Sequence, residues 1–146
     1  MLREETVEPA TLELLKKITS NPDLSHFRLA NGTALSLLYG HRKSIDLDLF
    51  TTQNLEKEAL YQTLSDLLHP FSSRENKSKA ILQCSIQNIK VDFVSVKDQF
   101  LHSPTIIDDI PFANIVDLCA LKLNVMKGRG AKKDFWDVEK LWKIIP

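Results

Sequence analysis

Apolar residues recur along this chain with two different periods, and the two periods predict different elements. Apolar residues at every third or fourth position indicate amphipathic helices, whereas those at every second position indicate half-buried strands. On this basis we predict helices at residues 9–20, 33–39, 56–68, 115–127 and 132–143. We predict strands at residues 26–30, 45–51, 80–86 and 90–96, with an irregular stretch before the fourth helix. Early strands and late helices are typical of an α+β fold, in which a small mixed sheet is flanked by helices.

The predicted strand at residues 45–51 carries two carboxylates. Asp46 and Asp48 are two positions apart, so they share one face of the strand while Ile45, Leu47 and Leu49 share the other. Two acids about 7 Å apart repel each other unless a cation or a proton separates them. Mg²⁺ prefers oxygen ligands and usually takes one or two protein carboxylates together with substrate phosphates. The pattern therefore predicts a metal-dependent site for phosphoryl or nucleotidyl transfer, with Mg²⁺ or Mn²⁺ as the metal.

Two further features point to the same chemistry. Gly32 and Thr33 lie between a predicted strand and a predicted helix, where backbone N–H groups and the helix dipole favour a phosphate. Asp92 alternates with Val91 and Phe93, so it points away from the apolar face of its strand. If Asp92 lies beside Asp46 and Asp48, the three acids complete a site for two metal ions. Taken singly, a structural glycine and a solvated aspartate are the alternative explanations.

The densest positive segment of the chain, residues 127–134, follows the fourth predicted helix. Lys122 lies next to the apolar face of that helix, where it can reach a phosphate or extend into solvent. The segment itself suits binding to a polyanion, or it is a solvated loop between two helices. Asp134 stands at the start of the last predicted helix, where a carboxylate interacts favourably with the helix dipole.

Composition narrows the class of protein without identifying a partner. Of the 146 residues, 43% are hydrophobic and 26% are charged, which fits one globular domain. We predict a single domain at residues 1–146, with a core at about 26–96 and a helical part at about 112–146. The net charge of zero indicates no global basic surface, although a local patch can exist. No apolar run approaches the roughly 20 residues that span a bilayer, and the charged N-terminus lacks a signal-peptide segment, so we expect a cytoplasmic protein without a membrane partner.

The order and spacing of these features resemble a known signature. Gly32 and Thr33, twelve intervening residues, the apolar-flanked pair Asp46 and Asp48 and a later strand acid are similar to the motif of nucleotidyltransferases with the DNA polymerase β fold. More narrowly, the chain resembles the AbiEii/AbiGii toxin family over about residues 26–142. The segments that carry this resemblance are residues 29–35 (LANGTAL), residues 40–50 (GHRKSIDLDLF), Asp117-Leu118, Lys122 and residues 129–137 (RGAKKDFWD).

The resemblance implies a nucleotidyltransferase-like fold with helices at its C-terminal end, and an enzyme that moves a nucleotide from an NTP to an acceptor. The implied acceptor is RNA, notably the 3′ end of tRNA, and the implied setting is an abortive-infection or toxin–antitoxin pair with a cognate antitoxin. By this resemblance, Gly32 and Thr33 would bind the triphosphate, and Arg42 and Ser44 would support the phosphates or the acids. Asp46, Asp48 and Asp92 would bind the metal ions. Lys122 would contact the nucleotide phosphates, and Asp134 would orient the acceptor or that lysine.

Other functions remain open at this point. The enzyme could instead modify a small molecule such as an aminoglycoside, or a partner protein. A non-catalytic nucleotide- or RNA-binding regulator would keep the fold and lose turnover. An interaction domain with surface carboxylates would leave the glycine-to-acid spacing unexplained. The chain also departs from the family pattern at Asn31, where glycine is commoner, although asparagine tolerates the same unusual backbone angles.

Overall fold

A computed structural model describes residues 2–40, 43, 45–96, 102–120, 137, 139, 140 and 143. The described helices are α1 (Pro9–Thr19), α2 (Asn31–Tyr39) and α3 (Lys57–Leu67), and residues 115–120 are also helical. The described strands are β1 (Arg28–Leu29), β2 (Leu47–Thr51), β3 (Phe71–Arg74), β4 (Ile81–Ile86), β5 (Ile89–Ser95), β6 (Thr105–Ile107) and β7 (Ile110–Phe112). Short 3-10 turns at Glu4–Thr6 and Pro22–Leu24 flank α1.

The seven strands form one mixed sheet in the order β3-β4-β5-β2-β1-β7-β6. At its centre β2 runs parallel to β5 and antiparallel to β1, and β1 runs parallel to β7. The outer pairs β3–β4, β4–β5 and β6–β7 are antiparallel. The prediction of an α+β fold with a small mixed sheet and flanking helices is confirmed. Most of the two predicted C-terminal helices lies outside the described residues.

The helices with clear apolar periodicity form where the sequence predicts them. Pro9 occupies the first turn of α1, a position that suits its fixed backbone angle, and Leu15 and Ile18 are fully buried. In α3, helical spacing predicts that Leu60, Leu64 and Leu67 share one buried stripe; Leu60 and Leu64 are buried, but Leu67 is 58% exposed. Leu68 is buried instead of Leu67, because the chain leaves the helix at Leu68 in an extended conformation. No helix in the described part of the chain is long and apolar enough to cross a membrane.

Two tight turns connect neighbouring strands through residues with positive φ. Gln87 and Asn88 have φ values of 54° and 66° and join β4 to β5, as the sequence predicts. Asp108 and Asp109, with φ values of 50° and 63°, join β6 to β7 in the same way. The sequence prediction of an irregular stretch was wrong for the β6–β7 hairpin. Its strands are only three residues long, and prolines within the stretch argued against pairing.

The core occupies one face of the central strands. Leu47, Leu49, Val91 and Phe93 are fully buried, and the ring of Phe93 meets that of Phe27 edge-on at 5.0 Å. Because side chains alternate along a strand, the intervening residues of β2 and β5 point to the other face of the sheet. That other face is where the structure places the acidic residues of these strands.

Gly40 ends α2 in a left-handed conformation, with φ at 66°. A Cβ atom added there would lie 3.0 Å from Cγ of Arg3. We expect Gly40→Ala to lower the free energy of unfolding by about 1 kcal/mol or more, because both the backbone angle and the contact oppose a side chain. Urea denaturation measures the change.

The matched variant Gly40→Asn separates the two causes of this loss. Asparagine tolerates positive φ better than alanine but carries the same Cβ atom. A smaller loss for asparagine would assign the effect to the backbone angle, and equal losses would assign it to the contact with Arg3. An alanine variant as stable as the original protein would contradict the expectation.

Candidate active site

Two of the acids predicted from the sequence lie side by side at the centre of the sheet. β2 and β5 pair in parallel, with Asp48 directly opposite Asp92. Both side chains are partly buried, on the face opposite the core residues Leu49 and Phe93. Asp46 comes just before β2, is partly exposed, and lies close enough for its charge to act on both other carboxyls. The tertiary structure therefore brings the three predicted acids to one region of the sheet face.

Burial and repulsion make Asp48 a weaker acid than an ordinary aspartate. Desolvation raises the pKa of Asp48 to about 6, and the negative charge of Asp92 acts in the same direction. A hydrogen bond from the Asn31 side chain lowers this pKa, and the charge of Asp46 raises it. The charged form of Asp48 is thus disfavoured by its neighbours, and a bound cation would reverse that balance.

The pKa of Asp92 is also raised, but two nearby cations oppose the rise. Desolvation raises the pKa of Asp92, and the charge of Asp46 adds to the rise, while Lys90 and Arg74 oppose it. Lys90 Nζ lies 3.8 Å from Asp92 Oδ2. The other oxygen, Oδ1, is buried and has no hydrogen-bond partner within the described part of the chain. A buried carboxylate oxygen without a partner is costly, so this atom is open to a hydrogen-bond donor or a cation.

Hydrogen bonds connect the start of α2 to Asp48 in β2 and to Asp46 just before it. The N–H of Ala30 donates to the carbonyl of Asp48 at 3.0 Å, and Nδ2 of Asn31 donates to Oδ2 of Asp48 at 3.4 Å. The hydroxyl of Thr33 donates to the carbonyl of Asp46. Asn31 has a φ of 58°, which glycine adopts freely and asparagine more readily than most residues. This backbone angle explains how asparagine can stand where glycine is commoner, and its side chain adds a donor that glycine lacks.

The first turn of α2 contains the predicted phosphate-binding pair. Gly32 and Thr33 are both buried there. The first N–H groups of a helix have no partner within the helix, and together with the helix dipole they attract an anion. Because the Thr33 hydroxyl is engaged by the carbonyl of Asp46, the backbone N–H groups are the donors that this turn would offer. Triphosphate binding by the pair stays a prediction.

The acids suit a divalent metal ion by their chemistry, although they do not enclose one. Among the described residues, no three histidine, cysteine, aspartate or glutamate side chains form a group that could hold a metal ion. Asp48 and Asp92 nevertheless present carboxylate oxygens at neighbouring positions, and Oδ1 of Asp92 is buried and unpaired within the described chain. Carboxylates with water and substrate phosphates as the remaining ligands are the usual environment of Mg²⁺. The residues present therefore fit such an ion.

A row of polar side chains extends from the acids to the edge of the sheet, and two of its members, Arg74 and Gln83, were not predicted from the sequence. Gln83 on β4 lies opposite Asp92, and Arg74 on β3 lies opposite Gln83. We call Arg74, Gln83, Asp92 and Asp48 the polar row. Gln83 and Asp92 could have been placed on one face from the alternation of β4 and β5. Arg74 could not, because β3 is short and mostly exposed and carries no apolar alternation.

Four of the predicted site residues cannot be placed relative to this row. Arg42, Ser44, Lys122 and Asp134 lie outside the described residues, so their roles stay predictions. Asp117, which belongs to the family motif, is buried and accepts a hydrogen bond from the N–H of His102 at 3.2 Å.

The stability of the metal-free protein is expected to depend on the ionisation of Asp48. A carboxyl whose pKa is raised on folding contributes stability that is fully present below its unfolded pKa, about 4, and lost as the pH rises through about 6. A rise of about two units corresponds to at most about 3 kcal/mol. We therefore expect Asp48→Asn to match the original protein near pH 4 and to exceed its stability at pH 7.

Urea denaturation of both proteins in the presence of a chelator, at the two pH values, measures this difference. Asp66→Asn is the matched control, because Asp66 is exposed on α3 and bonds only to Gln62 among the described residues. A stability difference between Asp48→Asn and the original protein that is the same at both pH values would contradict the expected shift.

Comparison with known proteins places the chain among nucleotidyltransferases. A family model described as "Nucleotidyl transferase AbiEii toxin, Type IV TA system" matches residues 13–144. A curated Aquifex aeolicus protein described as uncharacterized is 33% identical over 137 residues, which are 91% of this chain and 64% of that protein. The chain thus spans somewhat less than two thirds of this relative. The match of the family model over residues 13–144 confirms the resemblance to the AbiEii/AbiGii toxin family.

Solved structures share the fold at low sequence identity. The Megavirus polyadenylate synthase matches with a TM-score of 0.62 and 15% identity, over 92% of this chain and 30% of that one. JHP933 from Helicobacter pylori matches with a TM-score of 0.63 and 20% identity, over 98% of this chain and 68% of that one. These likenesses establish the nucleotidyltransferase fold of the chain.

Proposed function

Because the chain belongs to the AbiEii nucleotidyl transferase toxin family, we propose that it transfers a nucleotide from an NTP to RNA, with tRNA as the acceptor. The observation that carries the proposal is the pairing of Asp48 with Asp92 beside the start of α2. This arrangement sets two crowded carboxylates next to a helix terminus that favours phosphate. A metal-bound triphosphate is the ligand class that satisfies both features.

The described residues have two proposed roles, which are to bind the nucleotide and to position the acidic residues. The backbone N–H groups of Gly32 and Thr33 bind the triphosphate, while Asn31 and Thr33 fix the acidic strand through the hydrogen bonds to Asp48 and Asp46. Asp92 lies on the β4 and β3 side of Asp48, where its carboxylate would accept the proton of an attacking hydroxyl. Outside the described residues, the family resemblance assigns phosphate contacts to Arg42, Ser44 and Lys122, and orientation of the acceptor or of Lys122 to Asp134.

Asp48 and Asp92, which pair in register, are the residues that would hold Mg²⁺ or Mn²⁺, and Asp46 is proposed as a further ligand from the residue before β2. Divalent ions in such sites lower the pKa of the attacking hydroxyl and neutralise charge on the triphosphate. Chelation by EDTA is expected to abolish transfer, and added Mg²⁺ or Mn²⁺ is expected to restore it. Full activity after exhaustive chelation would contradict the role of the acids as metal ligands.

The acceptor is tested by supplying candidates side by side. The purified protein is incubated with NTPs labelled in the α-phosphate, Mg²⁺, and either total tRNA, an aminoglycoside or a host protein extract. We expect label in RNA, resolved on a denaturing gel. Label in the small molecule or in protein instead would replace RNA as the acceptor, and tight NTP binding without any labelled product would favour a non-catalytic regulator.

We propose that the protein acts as a toxin in the cytoplasm and that a cognate antitoxin counteracts it. Induced expression in a bacterial host is expected to stop growth, and a variant lacking the Asp48 carboxylate is expected to permit it. Co-expression of the neighbouring gene then tests for the antitoxin. Growth arrest that persists without the Asp48 carboxylate would separate toxicity from nucleotidyl transfer.

A further inference from the structure

We propose that the groove on the β3 side of Asp92 binds the phosphate backbone of a single-stranded RNA acceptor, with Arg74 as its main phosphate contact. The inference rests on the proposed function, since it assigns the acceptor side of the same site. Apart from Asp92, it concerns residues outside the acid pair and outside the first turn of α2.

The groove is a continuous polar surface across three strands. It has a volume of about 520 Å³, and Ser72, Arg74, Gln83, Ser85, Lys90 and Asp92 are among its lining residues. These side chains share one face, because Arg74, Gln83 and Asp92 are mutually opposite in register, as are Ser72, Ser85 and Lys90. The groove therefore begins at one of the acids and runs to the edge of the sheet.

The sheet order assigns the two substrates to opposite sides of the acids. α2 follows β1, which lies next to β2 on one side, so a triphosphate at the start of α2 approaches Asp48 from that side. β5, β4 and β3 lie on the other side. An attacking hydroxyl has to come from the side away from the leaving group, because the attacking and leaving oxygens are in line. The β3 side is therefore the side of the acceptor.

The charges in the groove select an anionic acceptor. Arg74 makes no ion pair within the described part of the chain, yet its field reaches Asp92 and lowers that residue's pKa. Arg74 and Lys90 line the groove together with Asp92, whose Oδ2 lies 3.8 Å from Lys90 Nζ, so the described lining carries a net positive charge. A cationic aminoglycoside would be repelled, whereas a guanidinium binds phosphate in a bidentate manner. Adjacent strands are about 4.8 Å apart, so Arg74 lies about 10 Å from Asp92, a distance that a short nucleotide segment spans.

Charge reversal at Arg74 tests the inference without requiring turnover. The probe is a fluorescein-labelled single-stranded RNA of about 12 nucleotides, followed by fluorescence anisotropy in Mg²⁺ at several salt concentrations. Lys17→Glu is the matched control, because Lys17 is exposed on α1 and the change in net charge is the same. We expect Arg74→Glu to weaken RNA binding by about tenfold relative to the control and to reduce the salt slope by about one.

A second readout separates the acceptor from the nucleotide. Calorimetric binding of a non-hydrolysable NTP is expected to stay within about twofold for Arg74→Glu. Equal RNA affinities for Arg74→Glu and Lys17→Glu would overturn the inference, and so would an equal loss of NTP and RNA affinity. Arg74→Gln, which only removes the charge, gives the same test should the reversed charge disturb folding. If the original protein transfers no nucleotide to RNA but the RNA affinities still differ, the proposed function fails and the groove assignment stands.

Discussion

Replacement of Asp48 by asparagine is expected to lower nucleotidyl transfer by at least about a thousandfold, which corresponds to about 4 kcal/mol of transition-state stabilisation. Asparagine keeps the shape of the side chain and its bond with Asn31, but it removes the negative charge that a metal ion requires. The same change removes the repulsion from Asp92 and the cost of burying a charge. We therefore expect Asp48→Asn to lose activity and, in the absence of metal, to be more stable than the original protein. This combination is typical of a site in which function requires an unfavourable buried charge.

Transfer of labelled nucleotide to tRNA measures this effect, and the thermal melt of the same sample in chelator measures stability. Asp66→Asn removes an exposed carboxylate on α3 and is expected to leave both quantities unchanged. Should Asp48→Asn retain more than about one tenth of the original activity, Asp48 would not be a metal ligand in the reaction. A loss of activity accompanied by a lower melting temperature would indicate unfolding instead.

Phe93→Ala is expected to lower the free energy of unfolding by about 3–5 kcal/mol. Phe93 is fully buried on β5 and packs edge-on against Phe27. β5 lies between β4 and β2 and carries Asp92 as the preceding residue. Truncation would leave a cavity under the strand that positions this acid, so activity is expected to fall together with stability.

The control for Phe93→Ala is Ile106→Ala on the edge strand β6, where the isoleucine side chain is 60% exposed. This change removes an apolar side chain without opening a cavity, and its cost is expected to stay below about 0.5 kcal/mol. Urea denaturation compares the two variants. A loss below about 1 kcal/mol for Phe93→Ala would show that the core around Phe27 relaxes and fills the space.

The parts of the fold that the sequence predicts are those whose signal is local. α1, α3, β2, β4 and β5 repeat apolar residues with a clear period, so each could be placed to within a few residues. β3, β6 and β7 were missed because they have three or four residues each and become strands only by pairing with a neighbour. The turn at Asp108 and Asp109 requires positive φ at both positions. Aspartate tolerates positive φ, but its presence in a sequence does not by itself predict such a turn.

The sequence by itself determined the family of this protein and predicted its chemistry, from the pair Asp46 and Asp48 and a glycine-containing helix start at a fixed distance from them. The alternation of side chains is a property of the backbone, but β2 begins at Leu47, so Asp46 lies just before the strand and Asp48 lies within it. Only the tertiary structure decided that Asp92 lies opposite Asp48, and that Arg74 and Gln83 continue the row. Strand order and register arise from contacts between distant segments, and a one-residue slip would turn each of these side chains to the other face.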